Sequence, residues 1–170
     1  MSRIWITSDW HLNHRAILDF EWRKPWFEKE IIRKINNQVK KEDILINLGD
    51  VIFDRFSELS FYLDQIKCDT KILVRGNHDK ASFDSFINKW FTFVCDEFKL
   101  QYQKYNIIFS HKPLEEVPEG WINIHWHLHS WYHRGDSWNI LYNPEKSGYN
   151  FVPVLLSNII KNAQKFKNST

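Results

Sequence analysis

Five apolar runs in this 170-residue chain hand over, within a few residues, to side chains that bind divalent cations. The run at 3–8 meets Asp9 and His11, the run at 44–48 meets Gly49 and Asp50, and the run at 72–74 meets Gly76, Asn77, His78 and Asp79. The run at 107–109 meets His111, and the run at 121–124 meets His127 and His129. Taken alone, Gly76-Asn77-His78-Asp79 has the composition of a turn. Five such endings describe a site, because open α/β sheets bind ligands beyond the carboxyl ends of their strands. Carboxylate, amide and imidazole donors with no thiolate suit Mn²⁺, Fe or Zn²⁺ and argue against a structural Cys-type zinc. Asp9, His11, Asp50, Asn77, His111, His127 and His129 are more donors than one ion needs. Two ions about 3.5–4 Å apart, sharing one carboxylate, would use them and make a hydrolytic centre.

Such donors need strands to carry them and helices to cover the strands. Phe27, Ile31, Ile35 and Val39 recur every four residues among Lys, Arg and Glu, which predicts an amphipathic helix. Leu59, Tyr62, Leu63 and Ile66 give a second stripe, and Phe83, Phe86, Ile87 and Trp90 a third, with Ser82 as its N-cap. Gly76 is expected to permit a tight turn at its strand's end. The order β-α-β-α-β-α argues for parallel strands with helices packed on them. Beyond it, Phe98, Leu100 and Tyr102 alternate with polar residues, and a turn near 104–106 leads into the run at 107–109, which predicts an antiparallel hairpin. Short strands are expected at 121–124, at 138–142 and around Phe151 and Val152, with a last helix over about 155–163.

With 43% hydrophobic and 16% aromatic residues, nine of them tryptophan, the chain can bury a large core and is expected to form one domain over residues 1–170. Lys+Arg 23 against Asp+Glu 21 leaves a formal charge of +2, too weak a field for a protein that holds extended nucleic acid by its phosphates. Cys68 and Cys95 fit neither a disulfide framework nor a Cys-x-x-Cys metal site. No stretch approaches the ~18 uninterrupted apolar residues of a membrane span. The expectation is a soluble, cytoplasmic protein with no membrane partner.

Asp9-Trp10-His11, Gly49-Asp50, Gly76-Asn77-His78-Asp79, His111 and Trp126-His127-Leu128-His129 follow one another in this order. In that series the chain resembles the calcineurin-like metallophosphoesterase superfamily, and within it the small, cap-less bacterial and phage-type phosphoesterases. The resemblance implies that Asp9, His11 and His129 hold one ion, that Asn77, His111 and His127 hold the other, and that Asp50 bridges them. It makes His78 the general acid, with Asp79 positioning it. Trp126 stands where the family usually has glycine, and Asn13 where the longer form of the first motif has one, so the backbone at both positions becomes a question for the structure.

The expected fold is α/β, a two-sheet α/β sandwich with mixed sheets flanked by helices. The expected reaction is hydrolysis of small phosphodiesters or nucleotide esters, with a water made nucleophilic between two ions and His78 protonating the departing oxygen. The ions are expected to be Mn²⁺, with Fe, Zn²⁺, Ni²⁺ or Mg²⁺ as alternatives. Diesters are preferred because no dense arginine cluster is visible to hold a dianionic monoester. Trp10 or Trp126, each one residue from proposed ligands, is expected to line the cleft and stack on a nucleobase, with inward packing as the alternative. Trp5, Trp90 and Trp121 are assigned to packing, His125 to a strand end, His14 to supporting a ligand or facing substrate, and His133 to an exposed loop. The rival reading is a non-catalytic scaffold or protein-binding module of the same fold, and a third is a nuclease within a larger complex. Retention of every ligand type, including His78, argues against the scaffold.

Overall fold

The computed structural model describes residues 2–20, 23–53, 56–87, 89–126, 139–141 and 151–167. The chain begins β1 (Ile4–Thr7), α1 (Ile17–Phe20), α2 (Phe27–Gln38), β2 (Ile44–Asn47), α3 (Leu59–Leu63), β3 (Thr70–Val74), α4 (Phe83–Ile87) and β4 (Phe93–Cys95). The four strands pair in parallel in the order β4-β3-β2-β1, with Ile6 beside Ile46 and Ile46 beside Ile72. Next come β5 (Glu97–Tyr102), β6 (Tyr105–Ser110), β7 (Trp121–His125) and β8 (Asn139–Leu141), which form a second sheet in sequence order. Its first pair is the expected antiparallel hairpin; β6, β7 and β8 run parallel.

The chain then returns to the first sheet as β9 (Val154–Leu155), antiparallel to β1, and ends in α5 (Leu156–Lys167). The strand expected around Phe151 and Val152 lies slightly later, because Phe151 takes φ 61°, a left-handed turn that cannot continue a ladder.

Why the parallel strands read as continuous apolar runs is visible in their alternation. Trp5, Leu45 and Leu73 face the helices, packing with Phe27, Ile31 and Ile35 of α2, Leu59 and Leu63 of α3, and Phe86 of α4. Ile6, Ile46 and Val74, one residue on, face Ile107, Phe109 and Ile124 of the second sheet. Two sheets flanked by helices result, and both faces of β1, β2 and β3 are fixed. A one-residue slip would exchange the two cores. Trp5 and Trp90 are buried in packing as expected, and Trp121 is half-buried. Among the described residues no helix is long and apolar enough to cross a membrane.

Candidate metal centre

Past the ends of β1 and β2 the two segments stay side by side. Asp9 N–H donates to Gly49 O, His11 N–H to Asp50 O and Leu12 N–H to Val51 O, each at 2.9 Å. This pairing is not a regular strand: φ is 51° at Asp9, 46° at His11, 64° at Asn13 and 53° at Asp50. Left-handed backbone is costly for most L-residues, and here it turns side chains that would alternate in a strand toward one point. Asn13, in place of the family's glycine, is a residue type that tolerates this conformation. Trp126 is not among the positive-φ residues, so its bulk meets no backbone penalty there.

Glycine is required where the loops after β2 and β3 cross. Gly49 has φ 107°, and a Cβ on it would lie 2.5 Å from Gly76 N and 2.6 Å from His111 Nδ1. A Cβ on Gly76 would collide with the Asp50 carboxylate. Gly76 therefore serves close approach rather than the positive φ of a tight turn.

The candidate donor atoms converge on Asp50. Its Oδ2 lies 3.8 Å from His11 Nε2 and 3.4 Å from His111 Nε2. His11 Nε2 is 3.3 Å from Asp9 Oδ1, and His111 Nε2 is 3.2 Å from Asn77 Oδ1. Asp9, His11 and Asp50 are all buried, with one ligand atom of each within 4.8 Å of the others. Donors at about 2.0–2.2 Å from one ion, roughly at right angles, lie about 3 Å apart, so this donor set fits a divalent cation. His111 Nδ1 is 2.8 Å from the Leu48 carbonyl, which can only accept, so Nδ1 carries a proton and Nε2 is the ring nitrogen turned to Asp50 and left for a cation. His127, His129 and His133 lie outside the described residues. His125 ends β7, buried, as expected.

Burial opposes ionisation of Asp50, but the His111 imidazole and the His78 backbone N–H prevail and hold its carboxyl down at about 2. Burial likewise disfavours charge on His111, but the Asp50 and Asp9 carboxylates outweigh it and raise its pKa. His78 is shifted the other way, lowered first by partial burial and then by nearby positive groups, against the pull of Asp50.

Two expectations need correction. Asp79 does not touch the His78 ring: its Oδ2 accepts from the N–H groups of Asp50 at 2.8 Å and Gly76 at 2.9 Å, and its Oδ1 from that of Val51 at 2.9 Å. It ties the loop after β3 to the loop after β2. Burial is the largest influence on its carboxyl and pushes it up to about 6 against these donors. Neither Trp10 nor Trp126 lines a cleft, since they are 1% and 0% exposed. Trp10 donates its indole N–H to Thr7 Oγ1 at 2.8 Å, and Trp126 is tied through its backbone N–H to His111 O at 3.0 Å. Both indoles fill core, which is what large apolar rings do unless a partner holds them out.

Three residues at the site escaped the sequence reading. Arg23, buried, donates to Trp10 O at 2.8 Å and Asp9 O at 3.0 Å, clamping the first loop from behind, with its guanidinium over the Phe27 and Phe151 rings. Asn123 braces the turn around His111 by donating to Ser110 Oγ and accepting from Leu114 N–H. Phe53, 41% exposed, stands beside His11, His14 and His78. None carries a motif; an isolated Arg or Phe gains such a role only from chain distant in sequence.

Fold and cluster together define a two-sheet α/β protein with a candidate divalent-metal site at its strand ends. The family model for calcineurin-like phosphoesterases matches residues 2–162, and the chain belongs to that family. It is 27% identical over 184 residues to an uncharacterised protein of Methanocaldococcus jannaschii, an alignment covering 98% of this chain and 94% of that protein. A protein of unknown function from Aquifex aeolicus has a similar structure, with TM-score 0.76 and 25% identity over 95% of this chain and 100% of that one. The fold, at 18% identity, is also that of Pseudomonas putida nuclease MPE, with TM-score 0.54 over 75% of this chain and 62% of the nuclease. Family and buried Asp-His-Asp cluster support metal-dependent phosphoester hydrolysis as the general chemistry of this site.

Proposed function

We propose that this chain hydrolyses small phosphodiesters or nucleotide esters using two divalent ions, Mn²⁺ first among them. Asp9, His11 and His129 would hold one ion, Asn77, His111 and His127 the other, and Asp50 both. The observation that carries this reading is the position of Asp50 Oδ2, within 3.8 Å of His11 Nε2 and 3.4 Å of His111 Nε2, so that one carboxylate oxygen borders two donor groups. Bound there, the ions would supply a water of lowered pKa and neutralise charge developing on the phosphoryl group.

The chain's own residues do the rest. His111 is kept in the tautomer that presents Nε2 by its bond to Leu48 O. His78, with its side chain 31% exposed and Nε2 3.9 Å from Asp50 Oδ2, stands where it can give a proton to a departing oxygen. Arg23 is engaged by the Asp9 and Trp10 carbonyls and Arg75 by the Asp96 carboxylate, so neither guanidinium is offered to a dianion. That favours diesters over monoesters.

The test is hydrolysis of an aryl phosphodiester by chelated and metal-reconstituted protein. Activity should vanish on chelation and return with Mn²⁺ or a similar ion. Protein inert with every divalent metal would instead support a scaffold.

A further inference from the structure

His78 owes its place to its backbone, whose N–H donates to Asp50 Oδ1 at 2.9 Å, but among the described residues its imidazole makes no hydrogen bond. The carboxylate next in sequence is occupied elsewhere, on three backbone N–H groups. Other rings stand against the imidazole. The Phe53 centroid is 4.7 Å away at an interplanar angle of 41°, and His11 presents an edge at 5.4 Å.

Phe53 is itself held. Its N–H donates to Leu12 O at 3.2 Å, the preceding Ile52 is bridged to Leu12, and its ring lies stacked on His14 at 3.5 Å and 8°. It is thus fixed to the loop that carries His11, while its neighbours Val51 and Ile52 are buried and Phe53 stays 41% exposed at the site.

We propose that Phe53 is the positioning residue of His78, packing its imidazole into the orientation from which it protonates the leaving group. This rests on the reading of His78 as general acid. An imidazole without a hydrogen-bonded orienter is free to turn about its side-chain torsions, and a ring pair at this separation favours one orientation by roughly 2–10-fold. A proton donor delivers only from the aligned orientation, so that bias passes into kcat and leaves metal binding alone.

The experiment compares kcat and KM for an aryl diester releasing nitrophenolate and for a dialkyl diester. It uses Mn²⁺-loaded wild type, His78→Ala, Phe53→Ala, Phe53→Tyr and the His78→Ala/Phe53→Ala double variant. The His78 ring protons are followed by NMR in metal-free wild type and Phe53→Ala. Phe53→Ala should lower kcat on the dialkyl ester by up to roughly 10-fold, short of the roughly 10²–10⁴-fold cost of losing a general acid, and barely affect the nitrophenyl ester. Phe53→Tyr should restore the rate, the double variant should be no slower than His78→Ala, and the ring-current displacement of His78 should disappear in Phe53→Ala. If His78→Ala slows both esters alike, the acid reading falls and this inference with it. If His78→Ala is selective but Phe53→Ala slows both esters alike, acts through KM, or multiplies the loss in the double variant, the inference alone is overturned.

Discussion

Three backbone N–H groups, those of Asp50, Val51 and Gly76, point at the Asp79 carboxylate, and the side chain is 3% exposed. Removing such an acceptor leaves buried donors unsatisfied, at about 1–3 kcal/mol. Asp79→Ala is expected to lose about that much stability in denaturant unfolding, while the ratio of dialkyl to nitrophenyl rates stays near wild type. A ratio that shifts as it does in His78→Ala would instead mean that Asp79 orients the acid directly. Asp9, His11, Asp50, Asn77 and His111, which the structure brings together, could be picked out in the sequence because each follows a strand-forming run, and a strand end is where polar side chains leave the core. Asp79's partners were not, since a carboxylate beside an imidazole reads as its orienter until the crossing loops, forced together at Gly49 and Gly76, present three N–H groups to it. Arg23 and Phe53 were illegible for the same reason.

At the scale of elements, Asp43 shows what pins β1 to β2 at the end away from the ligands. It is buried, and accepts from Arg3 N–H at 2.9 Å, Lys40 N–H at 3.0 Å, the Trp5 indole at 2.9 Å and the Arg3 guanidinium at 2.8 Å. Burial alone would raise its pKa, but the Arg3 guanidinium and these N–H donors hold it well below the usual carboxylate range. A depressed carboxyl stabilises the fold above the unfolded-state pKa of about 3.9, and that contribution is lost as pH falls below it. Asp43→Asn should therefore melt below wild type at pH 7, by about 1–3 kcal/mol, with the gap narrowing below about pH 4. A gap that does not change with pH would contradict the ionised pairing. The alternation of strand and helix made the parallel half of the fold readable. The mixed pairing of the second sheet was less so, because short runs such as 121–124 fit either direction until they meet a neighbour.

Across the whole molecule, two apolar cores, one between the first sheet and its helices and one between the sheets, fix the ends of β1, β2, β3 and β6 so that Asp9, His11, Asp50, Asn77 and His111 meet. Asp9 and Asp50 are buried together there, which a divalent cation would relieve. Binding only the folded state, a metal at 100 times its dissociation constant would add about 2.7 kcal/mol of stability, so the melting temperature should rise with added Mn²⁺ in wild type. An unchanged melting temperature at saturating metal would argue against ligation by these residues. The shared carboxylate is the central claim, and the metal content of purified Asp50→Ala, against wild type reconstituted in Mn²⁺, tests it most directly. Two ions per chain in wild type and loss of both in Asp50→Ala is the expected result, because each donor group would lose its common oxygen. An Asp50→Ala protein that still holds two ions per chain would contradict it.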